Sequence, residues 1–164
     1  MNSDLTVYLD PLTGLFSRPT FTIVADKYLK LSRRVQHGLV LIVLDLDGLE
    51  QINARHGRAE GDWALKQVSE VLQHQFRESD VMGRLDDDEF AFLAMGVRDK
   101  GADALAARLN EVLAQATAAA GRPYTLSVSA GLAWYNPDVA QSLDELIAQA
   151  KAALEAHRQR RRGA

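Results

Sequence analysis

The stretch from Val81 to Met95 constrains the fold more than any other, because it sets four consecutive carboxylates between two apolar runs. Residues 81–85 and 90–95 are rich in types that favour β-strands, and a polar break of about two residues between such runs predicts a tight β-hairpin with the acids at its turn. Adjacent like charges repel one another, so a bound cation such as a metal ion would stabilise this turn. The alternative is a solvated acidic turn without a ligand.

A second apolar run also ends in an acid. Residues 39–44 are valine, isoleucine and leucine only, and Asp45, Leu46 and Asp47 follow them. A continuous run of this kind predicts a strand that is covered on both faces at the centre of a sheet. Because a carboxylate at the end of a buried strand is costly unless it is paired, we expect Asp45 to serve a site.

The remaining patterns supply helices and one more strand. Helical spacing of apolar residues predicts helices over 18–34, 62–76, 102–119 and from 142 towards the arginines, a helical turn from 49, a loop around 57–61, and a strand over 124–135. Asp62 is expected to cap or start its helix.

This order of elements is βαββαβ with an additional N-terminal helix. It predicts an α+β fold of the ferredoxin-like type, in which helices pack against the sheet and acids on adjacent strand ends can be arranged as in palm-type nucleotidyl-transferring enzymes. The first strand and the hairpin are neighbours in that topology, so Asp45 and the acidic turn should meet at one edge. Since no repeat or long linker interrupts the pattern, we expect one domain over 10–162, with a lead-in at 1–9 and a tail at 163–164.

Composition excludes several classes of function. The chain has no cysteine, which rules out disulfides, thiolate metal sites and cysteine nucleophiles. No apolar run reaches the roughly 20 residues of a membrane span and no signal pattern is present, so we expect a cytoplasmic protein without a membrane partner. A net charge of −3 gives no general attraction for nucleic acid. The basic cluster in residues 158–162 could be a frayed tail, a phosphate contact, or both.

Five stretches together resemble a known family. They are DPLTGLFSRPTF, LDLDGLEQINARHGRAEGD, RESDVMGRLDDDEF, YTLSVSAGLAW and the closing helix. In order and spacing they are similar to the GGDEF domain of diguanylate cyclases, which condense two GTP molecules into cyclic di-GMP with Mg²⁺. Each stretch alone is a weak signal, whereas five in sequence are specific.

The resemblance implies a role for each matching residue. Asp45, the backbone carbonyl of Leu46, and Asp88 would bind the metal. Glu89 would act as general base on the reacting 3′-hydroxyl, or as a further ligand.

The resemblance also implies contacts with nucleotides. Asn53 and Asp62 would read the guanine edge, and Arg158 and Arg162 would lie near the phosphates. Arg77 and Asp80 match an inhibitory R-x-x-D site that binds the product. From the residues alone, Asn53 and Asp62 could equally be local caps, and Arg77 with Asp80 a surface ion pair.

The signature motif departs from the family pattern. It is Asp86-Asp87-Asp88-Glu89-Phe90, so aspartates replace two glycines, the second of which gives the backbone freedom and leaves room for a phosphate. Glu50 stands where the family has lysine, and Arg58 where it has histidine. At an effective dielectric near 20, one like-charged pair about 4 Å apart costs on the order of 4 kcal/mol. We therefore expect a catalytically degenerate domain, because Asp86, Asp87 and Glu50 share the sign of the triphosphate.

Three hypotheses follow from these residues. The domain is a regulatory module that binds cyclic di-GMP at its R-x-x-D site, or GTP, and signals to a partner protein; or an active cyclase that works as a homodimer; or a scaffold that binds no nucleotide. The nucleotide hypotheses require that Asp45 lie within cation-bridging reach of the hairpin acids. An arginine or lysine that neutralises this corner in place of an ion would count against them.

Overall fold

The computed structural model describes residues 8–76, 81–95 and 101–163, and its elements follow the predicted order. They are α1 (Arg18–Val35), β1 (Leu39–Leu46), α2 (Leu49–His56), α3 (Arg58–Gln75), β2 (Val81–Arg84), β3 (Glu89–Met95), α4 (Ala102–Ala119), β4 (Val128–Tyr135) and α5 (Leu143–Gly163). Within those ranges, every helix is too short or too polar to span a lipid bilayer.

The four strands form one antiparallel sheet in the order β2-β3-β1-β4. This is the strand order of the predicted ferredoxin-like unit, with β1 and β3 in the centre. The helices of that unit, α2, α3 and α4, cover one face of the sheet. The terminal helices α1 and α5 cover the other. Both faces are therefore buried, which explains the uninterrupted apolar run in β1.

Alternation along β1 decides where its terminal acid points. Val40, Ile42 and Leu44 belong to the core under α2, α3 and α4. Leu39, Leu41 and Val43 face α1 and α5. Because side chains alternate along a strand, Asp45 continues the second set and lies beneath α5.

The start of α3 differs from the prediction. The helix begins at Arg58, so the expected loop over 57–61 and the expected capping position of Asp62 are both wrong. Gly57 alone separates α2 from α3, in a conformation with φ of 94° that favours glycine. Gly61 lies in a close helix contact instead: a Cβ atom there would lie 1.7 Å from Asn53 Oδ1, so the Asn53 side chain would have to move. The second glycine therefore marks a close helix contact and not a turn.

The last strand is shorter than predicted. β4 begins at Val128 and not at Tyr124. Asn110 of α4 bonds the backbone at this start, because its Oδ1 accepts the Val128 N–H at 2.7 Å and its Nδ2 donates to the Val128 carbonyl at 3.1 Å. A side chain therefore occupies hydrogen-bonding positions that a neighbouring strand would otherwise fill.

Candidate functional site

The two acidic segments meet at one edge of the sheet, as the topology predicts. Asp45 of β1 and Glu89 of β3 are directly opposite each other across the strand pair. One residue further on, the Leu46 N–H donates to the Asp88 carbonyl at 2.9 Å. The hairpin turn spans residues 85–88, which is longer than the predicted break of about two residues. The spatial meeting that the nucleotide hypotheses require is therefore present.

The four acids of the signature turn differ in their exposure to solvent. Asp86 and Asp87 are exposed, whereas Asp88 and Glu89 are half-buried. Arg84 holds the turn, because its guanidinium donates to the Asp87 carbonyl at 2.7 Å. Among the residues that the structure describes, Gln36 is the only non-glycine with positive φ, so no residue of this turn needs glycine for its backbone. The two replaced glycines thus affect how a ligand approaches rather than whether the turn forms.

A pocket of about 580 Å³ opens beside this edge, between the start of α2, the signature turn and the end of α5. It is lined by Asp45, Leu46, Asp47, Gly48, Leu49, Glu50, Gln51, Asp88, Arg158, Arg161 and Arg162. The lining thus includes all three proposed metal ligands and both proposed phosphate arginines. Glu89, Asn53 and Asp62 lie outside it. Asp86 and Asp87 line a different groove of about 210 Å³, together with Arg84 and Arg18.

Asp45 is the most perturbed acid at this edge. Arg158 of α5 donates a hydrogen bond to Asp45 Oδ2. The other oxygen, Oδ1, is buried and has no hydrogen-bond partner among the residues that the structure describes. Burial raises the pKa of Asp45 to about 7; the bond from Arg158 opposes this rise and the nearby Asp88 adds to it. An acid in this state is stabilised by a further cation.

Glu89 is paired with a lysine that the sequence reasoning missed. Lys151 Nζ lies 3.0 Å from Glu89 Oε1. The ammonium is off the hydrogen-bonding direction, because the same oxygen is buried without a hydrogen-bond partner within the described ranges. Lys151 and Arg158 are seven residues apart, a spacing that puts both on one face of a helix and could have drawn attention to Lys151. Two protein cations therefore lie at this corner, which is the outcome that counts against an ion there.

The residues nevertheless fit magnesium in one specific way. In the described part of the chain, no three acidic, histidine or cysteine side chains are grouped as a metal site. Mg²⁺ commonly uses only one or two carboxylates and completes its octahedron with water and substrate phosphates. The free Asp45 Oδ1, the Asp88 carboxylate and the Leu46 carbonyl meet that lesser requirement. The corner therefore suits Mg²⁺ that arrives with a nucleotide better than Mg²⁺ alone.

The basic cluster at the C-terminal end is an ordered part of α5. Arg161 donates to Asp47 Oδ2 at 2.7 Å and to the Val128 carbonyl at 2.9 Å. The hydroxyls of Ser127 and Ser129 also donate to Asp47. His157 Nδ1 accepts the Ala130 N–H at 3.1 Å, which fixes the helix on the free edge of β4. Sequence reasoning missed this role of Asp47, although its position two residues after Asp45 puts both on one face of the strand.

The proposed guanine contacts lie apart from this pocket. Asn53 packs on Gly61, and its buried Oδ1 has no hydrogen-bond partner in the part of the chain that the structure describes. Asp62 is half-buried and directly follows Gly61, so α2 and α3 bring these two residues close together. Arg77 and Asp80 lie outside the described residues.

Comparisons with known proteins identify the family. The model "Diguanylate cyclase, GGDEF domain" matches residues 7–164. The chain is 37% identical over 145 residues to the cyclic di-GMP phosphodiesterase NbdA of Pseudomonas aeruginosa, covering 88% of this chain and 18% of that protein. It is 31% identical over 157 residues to the diguanylate cyclase TpbB of the same species, covering 94% and 36%. The chain thus spans well under half of either relative.

A solved structure supports the same assignment. It shows a microbial GGDEF domain that interacts with bis-(3,5)-cyclic di-GMP, and it is 28% identical to this chain. Its TM-score is 0.73, and the match covers 92% of this chain and 90% of that one. The strand order, the acidic signature turn and the family match agree. The chain belongs to the GGDEF family, whose domains take part in cyclic di-GMP signalling.

Proposed function

We propose that this domain is a regulatory module of cyclic di-GMP signalling that binds GTP with Mg²⁺ at the sheet edge and turns it over poorly. The observation that carries the proposal is the mixed lining of the pocket, which contains the carboxylates of Asp45 and Asp88 together with the guanidinium groups of Arg158 and Arg162. Carboxylates suit a magnesium ion, and arginines suit the phosphates that accompany it. When bound, the ion supplies charge neutralisation between the acids and the triphosphate.

Poor turnover follows from the surroundings of Glu89. Lys151 neutralises it in the nucleotide-free domain, so Glu89 can accept a proton from a ribose hydroxyl only after this contact has broken. Glu50 adds a negative charge to the pocket wall where the family has lysine. The exposed Asp86 and Asp87 add two more at the turn, although they line the neighbouring groove. These residues weaken catalysis and leave the metal ligands in place.

The relatives support both the regulatory proposal and its main alternative. A segment 37% identical to this chain occurs in a protein named as a phosphodiesterase, which is the opposite activity to synthesis. A regulatory role suits such a setting. The alternative is an active cyclase, which the retained Asp45, Leu46 and Asp88 and the similarity to TpbB favour. A scaffold that binds no nucleotide is the third possibility.

Two measurements on the purified domain separate these alternatives. We expect calorimetry to show GTP binding that requires Mg²⁺, and chromatography of the same mixture to show no accumulation of cyclic di-GMP over hours. Sustained formation of cyclic di-GMP would establish the cyclase instead. Absence of heat with GTP and Mg²⁺ would leave the scaffold.

Cyclic di-GMP is the second proposed ligand, at Arg77 and Asp80. The proposal rests on the R-x-x-D spacing ahead of the signature turn, and on the bound dinucleotide in the 28% identical domain. An arginine fork suits a phosphate and a carboxylate suits a guanine edge. We expect Arg77→Ala to weaken cyclic di-GMP binding at least about tenfold, a loss of 1.4 kcal/mol, with GTP binding unchanged. Equal loss of both ligands would show that the variant damages the fold and not a separate site.

A further inference from the structure

Two cations of α5 lie against the two acids at the ends of the central strands. Lys151 contacts Glu89, and Arg158 bonds Asp45. The acids are themselves opposite each other across β1 and β3. Leu154 lies between the two cations in sequence and is buried against the sheet, so this face of the helix packs on the strands. The helix thus presents one cation to each strand end.

The burial of these acids makes their ion pairs with Lys151 and Arg158 energetically important. The side chains of Asp45 and Glu89 are 14% and 16% exposed, so solvent screens them little. A carboxylate with so little solvent contact is costly without an opposite charge. Lys151 and Arg158 provide those charges without any ligand. They are internal counter-ions of the nucleotide-free site.

The same contacts conflict with a metal ion. A divalent cation at Asp45 and Asp88 would lie beside the guanidinium that already bonds Asp45, and close to the ammonium on Glu89. Repulsion between cations at such distances is substantial in a partly buried site. Asp45 Oδ1 is nevertheless buried without a hydrogen-bond partner among the described residues, so coordinating capacity remains. The site can therefore accept an ion once its internal cations have somewhere else to bind.

We propose that Lys151 and Arg158 act as a cation latch on the nucleotide-free domain, so that a divalent ion enters only together with nucleotide phosphates, to which these side chains transfer. The proposal rests on the proposed function, since it concerns the same pocket. Arg158 is already on the pocket wall. Lys151 is outside the lining, and its 41% exposed side chain is free to turn towards incoming phosphate. Metal binding and nucleotide binding are then strongly coupled.

The test is a titration of the nucleotide-free domain with magnesium, in which calorimetry measures the binding. We expect Lys151→Gln to bind Mg²⁺ about tenfold more tightly than the wild-type domain, because one competing charge is removed from the corner. Lys151→Arg retains the charge and should bind Mg²⁺ as weakly as the wild type. With a non-hydrolysable GTP analogue present, the difference between Lys151→Gln and wild type should shrink below about threefold, since the lysine has then left Glu89.

Lys30→Gln is the matched control. Lys30 lies on α1 in an exposed ion pair with Asp26, so its replacement removes the same charge away from the pocket. Equal Mg²⁺ affinity of Lys151→Gln and the wild type would overturn the latch. Tight Mg²⁺ binding by the wild type in the absence of nucleotide would overturn it as well. So would a gain in Mg²⁺ affinity in Lys30→Gln as large as that in Lys151→Gln. Failure of the proposed function is a separate result, namely no GTP binding by the wild type in Mg²⁺. The nucleotide-free titration decides the latch in either case.

Discussion

Gly131→Ala should lower the free energy of unfolding by about 3 kcal/mol, the largest stability effect that we expect from a single methyl group in this domain. Gly131 lies in β4 beneath α5. A Cβ atom there would be 2.1 Å from the carbonyl oxygen of Ala150 and 2.3 Å from the backbone nitrogen of Leu154. These are backbone atoms of a helix, which cannot rotate away as the end of a flexible side chain can. The whole helix would have to move outwards.

The same displacement should disable the site. The clash lies at Ala150 and Leu154, on the stretch of α5 that carries Lys151 and leads to Arg158. Because Arg158 and Arg162 reach the pocket from this helix, a helix that moves away from β4 withdraws both phosphate arginines from the pocket. We therefore expect the variant that still folds to bind GTP weakly as well as to unfold early.

Thermal unfolding with a matched glycine checks this prediction. For a domain of this size, about 3 kcal/mol corresponds to a fall in Tm of roughly 10 °C. Gly101→Ala is the control, because a Cβ there meets no atom of the described residues within 4 Å, and its effect should stay within about 0.5 kcal/mol. Equal stability of Gly131→Ala and Gly101→Ala would mean that α5 does not pack on β4 as closely as described.

Asp88→Ala should weaken Mg²⁺-dependent GTP binding about 100-fold, which is close to 3 kcal/mol. Asp88 lies on the pocket wall near Asp45, and its carboxylate supplies one of the few side-chain ligands that magnesium would find there. Loss of the ion also leaves the arginines as the only positive charges of the pocket lining that can neutralise the triphosphate. Stability of the nucleotide-free protein should not fall, because Asp88 raises the pKa of Asp45 and so repels it.

Asp87→Ala is the control, since it deletes the same charge one residue earlier. Asp87 is exposed and lines the neighbouring groove beside Arg84. Its loss should leave GTP binding unchanged or slightly tighter, because it removes a negative charge near the phosphates without removing a ligand. Calorimetry of both variants in GTP and Mg²⁺ decides the matter. Similar losses in the two would show that the turn acts through its net charge and that Asp88 has no specific role.

Local sequence patterns identified most of the fold. The apolar run of β1, the hairpin around the signature turn and the helical spacing of α1 and α4 each lie within one segment, where neighbouring residues decide the outcome. The errors in the predicted elements also came from considering only neighbouring residues. Gly61 was interpreted as part of a loop because its partner, Asn53, lies on another helix and cannot be read from the glycine's own neighbours. The strand order then followed from general rules of topology.

The sequence by itself determined that Asp45 and the hairpin acids would share one edge of the sheet, because strand alternation and βαββαβ topology leave few other arrangements. Only the tertiary structure decided which charges balance them. Arg158 and Asp45 are 113 residues apart in the chain, and their contact depends on how closely α5 packs on β4. No local sequence pattern predicts this contact between Arg158 and Asp45. It depends on the absence of a side chain at Gly131 and on the hydrogen bonds of His157 and Arg161 to the edge strand.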